Sequence, residues 1–131
     1  LKKRQESAGR LMKVLREKWS AVMPTESCVC QGQGEAGSGK PGEVLLPFSC
    51  HAGAGEHTWN QFVIRVVGPG KRDALREKLS SQGIQTEVYY PRAMHEQDCF
   101  PKNLESFPVA ERLSGGILAL PLLGKACLQL A

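Results

Sequence analysis

The sequence predicts a small α/β domain of the α+β type, in which a sheet of about three strands is backed by helices. Three observations support this fold class. Stretches with the two-residue alternation of strands are interleaved with stretches of helical periodicity, and glycine or proline separates them at short intervals. The chain also has 131 residues, of which 41% are hydrophobic and 23% charged, and this composition suits a single hydrophobic core.

The first predicted element is an amphipathic helix that ends before Pro24. Residues 1–20 hold seven Lys or Arg and two Glu, a net +5, so the remaining residues sum to −1 and give the total of +4. A nucleic-acid interface spreads its basic residues over a face of the fold, so we expect no nucleic-acid partner. The apolar stripe of the helix comprises Ala8, Leu11, Met12, Leu15 and Trp19.

A glycine-rich segment follows, and we predict that it is a flexible loop. Residues 31–42 contain five glycines and no large apolar residue, so burial cannot offset the entropy of ordering them. The segment matches the GxGxxG and GxxxxGK patterns of nucleotide-binding loops. Pro41 and Gly42 follow Lys40, however, which removes the hydroxyl that holds magnesium and obstructs a helix. We therefore interpret both matches as chance.

The cysteine content and the hydropathy pattern bear on localisation. Five cysteines are an odd number without a regular framework, which indicates reduced thiols in a cytosolic protein. No signal-peptide pattern opens the sequence, and the longest apolar runs are far shorter than the ~20 residues that span a bilayer. We therefore expect a cytoplasmic protein without a membrane partner.

Neither group of cysteine and histidine residues has the pattern of a reactive or metal-binding site. His95 lies four residues before Cys99, but a Cys–His pair without a third orienting group is a frequent coincidence, so we interpret Cys99 as a packing residue. The group nearest to a metal motif comprises Cys28, Cys30, Cys50 and His51. Structural zinc sites place two to four residues between paired cysteines, whereas only one residue separates Cys28 from Cys30, so we predict no metal site.

The second half of the chain has the clearest secondary-structure signals. An alternating β-branched and aromatic run places Phe62, Ile64 and Val66 on one face of a strand. The next run places Leu75 and Leu79 on one face of a helix. In order, we predict a strand over Thr58–Val67, a helix over 71–82 with Gly83 at its C-terminal cap, a strand over Ile84–Tyr90, a helix from Ser106 to Gly115 with Pro108 in its first turn, and a strand over Ile117–Leu120.

A cluster of aromatic and polar side chains comes directly after the strand predicted over Ile84–Tyr90. Loops at strand ends, positioned by a rigid sheet, commonly present ligand-binding groups. Composition alone fits equally well a strand end with aromatic packing and a solvated turn. The cluster reads YYPRAMHEQ over residues 89–97 and includes Tyr89, Tyr90, Arg92 and His95.

Several motifs in this half occur in the order of a known family. They read HTWNQFVIRV, KRDALREKLSSQGIQTEVYYP, MHEQDCF and FPVAERLSGGILALP, and together they span about residues 57–121. In this order and spacing they resemble the C-terminal region of the DegT/DnrJ/StrS family. Its members are pyridoxal-phosphate-dependent aminotransferases that act on nucleotide-linked keto-sugars. The resemblance implies a small sheet backed by helices, like the C-terminal domain of fold-type I aminotransferases.

The resemblance also implies roles for individual residues. Tyr89 or Tyr90, together with His95, would contact the sugar or a phosphate, and Arg92 would contact the nucleotide pyrophosphate. Arginine suits phosphate oxygens because of its fork of donors. Gln61 and Arg65 would be structural and hold the sheet. The implied partners are a nucleotide-sugar substrate and, for the full-length family, a second copy in a homodimer.

Complete family chains are much longer than this one and carry the Schiff-base lysine in a large N-terminal domain. No segment here resembles that lysine-bearing motif, so the resemblance implies that the residues that bind pyridoxal phosphate lie mostly outside this chain and that no residue here is catalytic. We therefore expect a C-terminal domain or fragment that is inactive alone. The alternative is a non-catalytic interaction or regulatory module. The expected organisation is a linking helix over 1–23, a glycine-rich loop or insertion over 24–56 and the small domain, truncated at its end, over 57–131.

Overall fold

The computed structural model describes residues 1–21, 40–47, 57–102 and 105–122. Within them, three helices pack with a three-stranded antiparallel sheet, which confirms the small α+β domain. None of the described helices is long and apolar enough to cross a membrane. The elements are α1 (Lys2–Trp19), β1 (Val44–Leu45), β2 (Phe62–Val66), α2 (Lys71–Ser81), a 3₁₀ turn (Met94–Glu96), α3 (Pro108–Gly116) and β3 (Ile117–Leu120).

Strand β2 lies at the centre of the sheet and carries the middle of the core. It pairs with β1 on one side, where Val44 lies opposite Val66, and with β3 on the other, where Phe62 lies opposite Leu120. Burial alternates along β2, so that Phe62, Ile64 and Val66 are buried as the sequence predicts. This alternation fixes which face of the sheet meets the helices.

Helix α1 joins the core through the predicted apolar stripe. Ala8, Leu11 and Leu15 are almost fully buried, and Met12 and Trp19 pack at the edge of the core cluster. The helix ends at Ser20, which has a left-handed backbone conformation. The predicted limit at Pro24 lies outside the described residues.

Helices α2 and α3 lie within one or two residues of their predicted bounds: α2 ends at Ser81 instead of residue 82, and α3 begins at Pro108 instead of Ser106 and ends at Gly116. Helix α2 is closed by Gly83, whose φ of 76° is in the left-handed region and whose N–H donates to the Ser80 carbonyl. Helix α3 has Pro108 at its first position, where the missing N–H costs no helical hydrogen bond. It runs directly into β3, so α3 and β3 are held in one continuous segment.

The residues after Lys40 form a turn and not the helix that a phosphate-binding loop needs. Gly42 has a φ of 89°, and the N–H of Glu43 donates to the Lys40 carbonyl, so Pro41 and Gly42 occupy the centre of a tight turn that leads into β1. Strand β1 therefore lies inside the range assigned to the glycine-rich loop. The rest of that range, residues 24–39 and 48–56, and the end of the third range, residues 123–131, lie outside the described residues.

The strand predicted over Ile84–Tyr90 is wrong. Ile84 and Thr86 are buried and alternate with exposed neighbours, but in this segment only Glu87 forms a bridge, to Ala119 of β3. Pro121, which has no N–H, stands where the antiparallel ladder would continue past Ala119. The alternation of apolar and polar residues in this segment therefore reflects an extended segment with one buried face, and this segment does not form a strand.

The first predicted strand is shorter than its sequence signal. It begins at Phe62 instead of Thr58, because Trp59 has a left-handed φ of 50° that breaks the extended backbone. The Trp59 side chain is buried, and the backbone N–H of Trp59 donates to Nδ1 of His57 at 2.9 Å. This local turn leads the chain into the centre of the sheet.

Candidate functional site

Residues 88–99, which we call the presenting loop, follow directly after a backbone bridge to the sheet. Immediately before the loop, Glu87 and Ala119 exchange two backbone hydrogen bonds of 2.8 and 3.1 Å. Val88 is half-buried and packs against the core cluster. The start of the loop is therefore fixed to β3, and the following side chains leave the sheet together.

Three of the four predicted site residues are exposed on the presenting loop. Tyr89 and Tyr90 are 44% and 65% exposed, and their rings meet edge to face with centroids 6.2 Å apart. Tyr90 and Arg92 line the same surface depression of about 390 Å³, which is open to solvent. The other residues that line this depression are Pro91, Gln97, Asp98 and Cys99.

The carboxylate of Asp98 forms ion pairs with two positively charged side chains at the depression. Asp98 accepts a hydrogen bond from Nζ of Lys102 at 3.1 Å and one from Nη2 of Arg92 at 3.4 Å. The Lys102 contact and then the Arg92 contact hold the pKa of Asp98 below its usual value. All three side chains are exposed, so water screens these ion pairs and an incoming anion can compete with Asp98 for both cations.

The fourth predicted site residue, His95, is held in a different environment. Its side chain is only 15% exposed, and Nε2 lies 2.9 Å from Oε1 of Glu111 on α3. The imidazole also packs against Phe107, with ring centroids 4.8 Å apart. His95 does not line the depression around Arg92. The structure thus brings Tyr90 and Arg92 together and places His95 behind them, against the helix.

Glu111 is a polar residue that sequence reasoning missed. Its Oε1 accepts the N–H of Phe107 at 2.8 Å and the hydroxyl of Ser106 at 2.9 Å. The Phe107 N–H is the largest cause that lowers the pKa of Glu111, followed by the Ser106 hydroxyl, and His95 adds to the same direction. The Glu in FPVAER was the only signal available, and nothing in the sequence links it to a histidine sixteen residues earlier.

The interpretation of Cys99 as a packing residue is wrong. Its side chain is exposed on the presenting loop beside Asp98, because the chain has already left the core at that point. The cysteines and the histidine weighed as metal ligands, Cys28, Cys30, Cys50 and His51, lie outside the described residues. In the described ranges, no group of three or more His, Cys, Asp or Glu is arranged to hold a metal ion.

The residues expected to hold the sheet have different positions. Arg65 lies in β2 opposite Leu45 and Ile117, and burial, followed by the nearby charge of Arg112, lowers its pKa. Gln61 is exposed one residue before β2. A second structural arginine was not anticipated: Arg72 is buried and donates to the carbonyls of Ser114 and Ile117 at the junction of α3 and β3.

The described residues do not fit a pyridoxal-phosphate Schiff base. A lysine that forms one is desolvated or flanked by groups that lower its pKa. Each lysine in the part of the chain that the structure describes is exposed, from Lys2 in α1 to Lys102 beyond the presenting loop. These residues therefore offer groups that can contact a ligand, and none of the described lysines has the burial that is typical of a Schiff-base lysine.

Comparison with known proteins finds a family and several relatives that this chain resembles. The model of the DegT/DnrJ/EryC1/StrS aminotransferase family matches residues 40–128. The dTDP-3-amino-3,6-dideoxy-alpha-D-galactopyranose transaminase of Aneurinibacillus thermoaerophilus is 36% identical over 67 residues, 50% of this chain and 18% of that protein. The UDP-N-acetyl-3-dehydro-alpha-D-glucosamine 3-aminotransferase of Acidithiobacillus ferrooxidans is 36% identical over 67 residues, with 50% and 17% covered. The erythromycin biosynthesis sensory transduction protein EryC1 of Saccharopolyspora erythraea is 36% identical over 72 residues, with 51% and 18% covered. The matched segment is thus less than a fifth of the length of these relatives.

Proposed function

The chain belongs to the DegT/DnrJ/EryC1/StrS aminotransferase family, and from this premise we propose that it forms the substrate-facing small domain of an aminotransferase that transfers an amino group to a nucleotide-linked keto-sugar. The family is pyridoxal-phosphate-dependent. Two relatives are named for dTDP- and UDP-linked sugars, which supports this substrate class. The single observation that carries the proposal is the presenting loop, which the sheet fixes at its start and which exposes Tyr89, Tyr90 and Arg92 together.

The roles of these side chains follow from their chemistry. The Arg92 guanidinium offers a planar fork of donors that suits the oxygens of a diphosphate. Asp98 holds Arg92 beside Lys102, so a diphosphate that displaces the carboxylate meets two cations. Tyr89 and Tyr90 offer flat apolar faces and hydroxyl groups, which suit the mixed surface of a sugar or a nucleoside. We assign Arg92 to the diphosphate and the tyrosines to the sugar or base.

Pyridoxal phosphate supplies the electron sink for amino transfer when it is bound. We propose that the lysine that carries it lies outside this chain, so that this chain orients the substrate and does not transaminate alone. The exposure of every described lysine supports this division of labour. A lysine-linked absorbance band after addition of pyridoxal phosphate to the isolated chain, accompanied by amino transfer, would contradict it.

A segment exchange tests the substrate-facing role. Residues 57–122 of this chain replace the corresponding segment of the Aneurinibacillus transaminase, and kcat/KM is measured with its own nucleotide sugar. We expect a folded, cofactor-bound and active chimera in which Arg92→Ala lowers kcat/KM by about tenfold or more, the effect of losing a charged hydrogen bond. Arg76→Ala removes an exposed arginine from α2 and serves as the matched control.

Two results would count against the proposal. An active chimera in which Arg92→Ala and Arg76→Ala have equal kcat/KM removes the presenting loop from the substrate site. A chimera that folds and binds the cofactor but has no activity favours the non-catalytic interaction module instead. The proposal extends to a homodimer for the complete protein, which light scattering after size-exclusion chromatography measures directly.

A further inference from the structure

Glu111 gathers three donors onto one carboxylate oxygen at the start of α3. Two of them, the Phe107 N–H and the Ser106 hydroxyl, come from the residues immediately before the helix and cap it. The third is Nε2 of His95, which belongs to the 3₁₀ turn sixteen residues earlier. An ionised carboxylate only accepts hydrogen bonds, so Nε2 carries the proton in this contact.

The His95–Glu111 contact closes the far end of the segment that carries the exposed side chains. At the near end, the paired backbone hydrogen bonds between Glu87 and Ala119 fix the chain to β3. The residues between these two anchors, 88–94, include Tyr89, Tyr90 and Arg92. A short segment held at both ends has few conformations left to lose when a ligand binds.

The anchoring residue His95 is largely buried, whereas the side chains before it in the loop are exposed. The His95 side chain is 15% exposed and packs on the Phe107 ring, whereas Tyr90 is 65% exposed. Ala93, which lies between them, is buried, and its N–H donates to Oε2 of Glu96 at 2.9 Å. A hydrogen bond that is partly withdrawn from water is electrostatically stronger than an exposed one. His95 is therefore placed to hold the end of residues 88–94, which carry Tyr90 and Arg92, against α3.

We infer that Glu111 is a positioning residue that acts through His95: their contact anchors the end of residues 88–94 and so sets how Tyr90 and Arg92 meet a nucleotide sugar. The ligand in this inference rests on the proposed function, whereas the anchoring rests on the geometry of the chain itself. Loss of the anchor leaves the loop to be ordered when the ligand binds, and that ordering entropy weakens affinity. In a complete enzyme the effect falls on KM more than on kcat.

Hydrogen exchange of the full 131-residue chain, followed by NMR without any ligand, tests the anchoring. The reporters are the amides of Glu96 and Gln97, which donate to the carbonyls of Ala93 and Met94. We expect His95→Ala to speed their exchange by about tenfold. His95→Gln, whose amide nitrogen can reach Glu111, should restore most of the protection. The amides of Glu87 and Ala119, at the other anchor, should not change.

Two further variants separate positioning from helix capping. Ser106→Ala removes another donor to the same Glu111 oxygen and should leave the Glu96 and Gln97 amides protected. Glu111→Gln should speed exchange of these amides in the wild-type background and have no further effect in the His95→Ala background. Unchanged exchange in His95→Ala overturns the inference. So does an equal increase in Ser106→Ala, and so does a Glu111→Gln effect that adds to that of His95→Ala.

Titration with dTDP and with UDP-N-acetylglucosamine tests whether the His95–Glu111 contact affects ligand binding. We expect His95→Ala to raise the Kd of whichever probe binds wild type, and His95→Gln to restore it. A faster-exchanging loop with an unchanged Kd overturns the positioning role. If neither probe binds the wild-type chain, the proposed function fails, and the exchange data alone decide whether Glu111 anchors the loop through His95.

Discussion

Strand β2 and the presenting loop contain similar residue types and put them to opposite uses. In β2, Phe62 and Ile64 are completely or almost completely buried, whereas Tyr89 and Tyr90 in the loop are about half exposed or more. The difference comes from pairing. Strand β2 has a hydrogen-bonded neighbour on each side, whereas the segment before the loop has one bridge, at Glu87. Aromatic residues thus form the core where the ladder is complete and an accessible surface where it stops.

The largest expected effect lies in the centre of the sheet. Phe62 has no exposed surface and packs at the middle of the core cluster, so Phe62→Ala removes buried apolar area and leaves a cavity. We expect the free energy of unfolding to fall by about 3–5 kcal/mol. Urea denaturation measures this loss. Tyr90→Ala in the loop, the matched truncation of an exposed aromatic, should change stability by less than about 0.5 kcal/mol.

The next effect concerns the buried arginine that joins α2 to the junction of α3 and β3. Arg72→Met keeps the apolar stem and removes the donors to the carbonyls of Ser114 and Ile117. We expect a loss of about 1–3 kcal/mol in urea denaturation, the usual cost of an unpaired buried polar group. Arg76→Met, on the exposed face of the same helix, should be near neutral. Equal losses in both variants would show that the Arg72 contacts do not stabilise the fold.

Two adjacent glycines at the end of α3 should respond in opposite directions. A Cβ at Gly116 would lie 2.8 Å from the Val66 carbonyl oxygen, a backbone atom of the central strand, so Gly116→Ala should destabilise the fold by about 1–3 kcal/mol. A Cβ at Gly115 would meet nothing within 4 Å, so Gly115→Ala should stabilise it by about 0.5–1 kcal/mol. Thermal denaturation of the pair measures the sign. The same sign in both variants would argue against this close helix–strand contact.

The smallest effect is the pH dependence of the contact behind the presenting loop. The Phe107 N–H, the Ser106 hydroxyl and His95 hold the pKa of Glu111 below its usual value. A lowered pKa in the folded state means that the contribution is present above the unfolded pKa of about 4.3 and is lost as the pH falls through the folded value. The Phe107 amide resonance should follow this titration by NMR, and Glu111→Gln should abolish it. A titration midpoint above about 4.3 would contradict the assignment.

Much of the fold follows from local patterns in the sequence. The apolar stripe of α1, the buried face of β2, Pro108 at the start of α3 and Gly83 after α2 each depend on neighbouring residues alone, and each is confirmed. The prediction of a strand over 84–90 is wrong because strand formation depends on the partner, and Pro121 has no N–H to pair with the residues that precede Glu87. The hydrophobic pattern of one segment does not show where a partner strand, distant in the sequence, lacks the backbone N–H groups that pairing needs.

The exposed part of the candidate site follows from the sequence, whereas the contacts that support it do not. The aromatic and polar run after Ile84 predicts Tyr90 and Arg92 as candidate site residues, and both line the same depression in the structure. The placement of His95 against Glu111 depends on a contact between residues sixteen apart that belong to two different elements. The sequence grouped His95 with the other polar residues, whereas the fold turns its side chain towards α3.

We propose that the core acts as a scaffold and that residues 88–99 contact a nucleotide sugar. Titration of the isotopically labelled full chain with UDP-N-acetylglucosamine, followed amide by amide in NMR spectra, tests it most directly. We predict shifts confined to residues 88–99, Lys102 and the supports of the presenting loop in α3, strongly reduced in Arg92→Ala and retained in Arg76→Ala. Shifts centred elsewhere, or none at ligand concentrations on the order of 10 mM, would contradict the account.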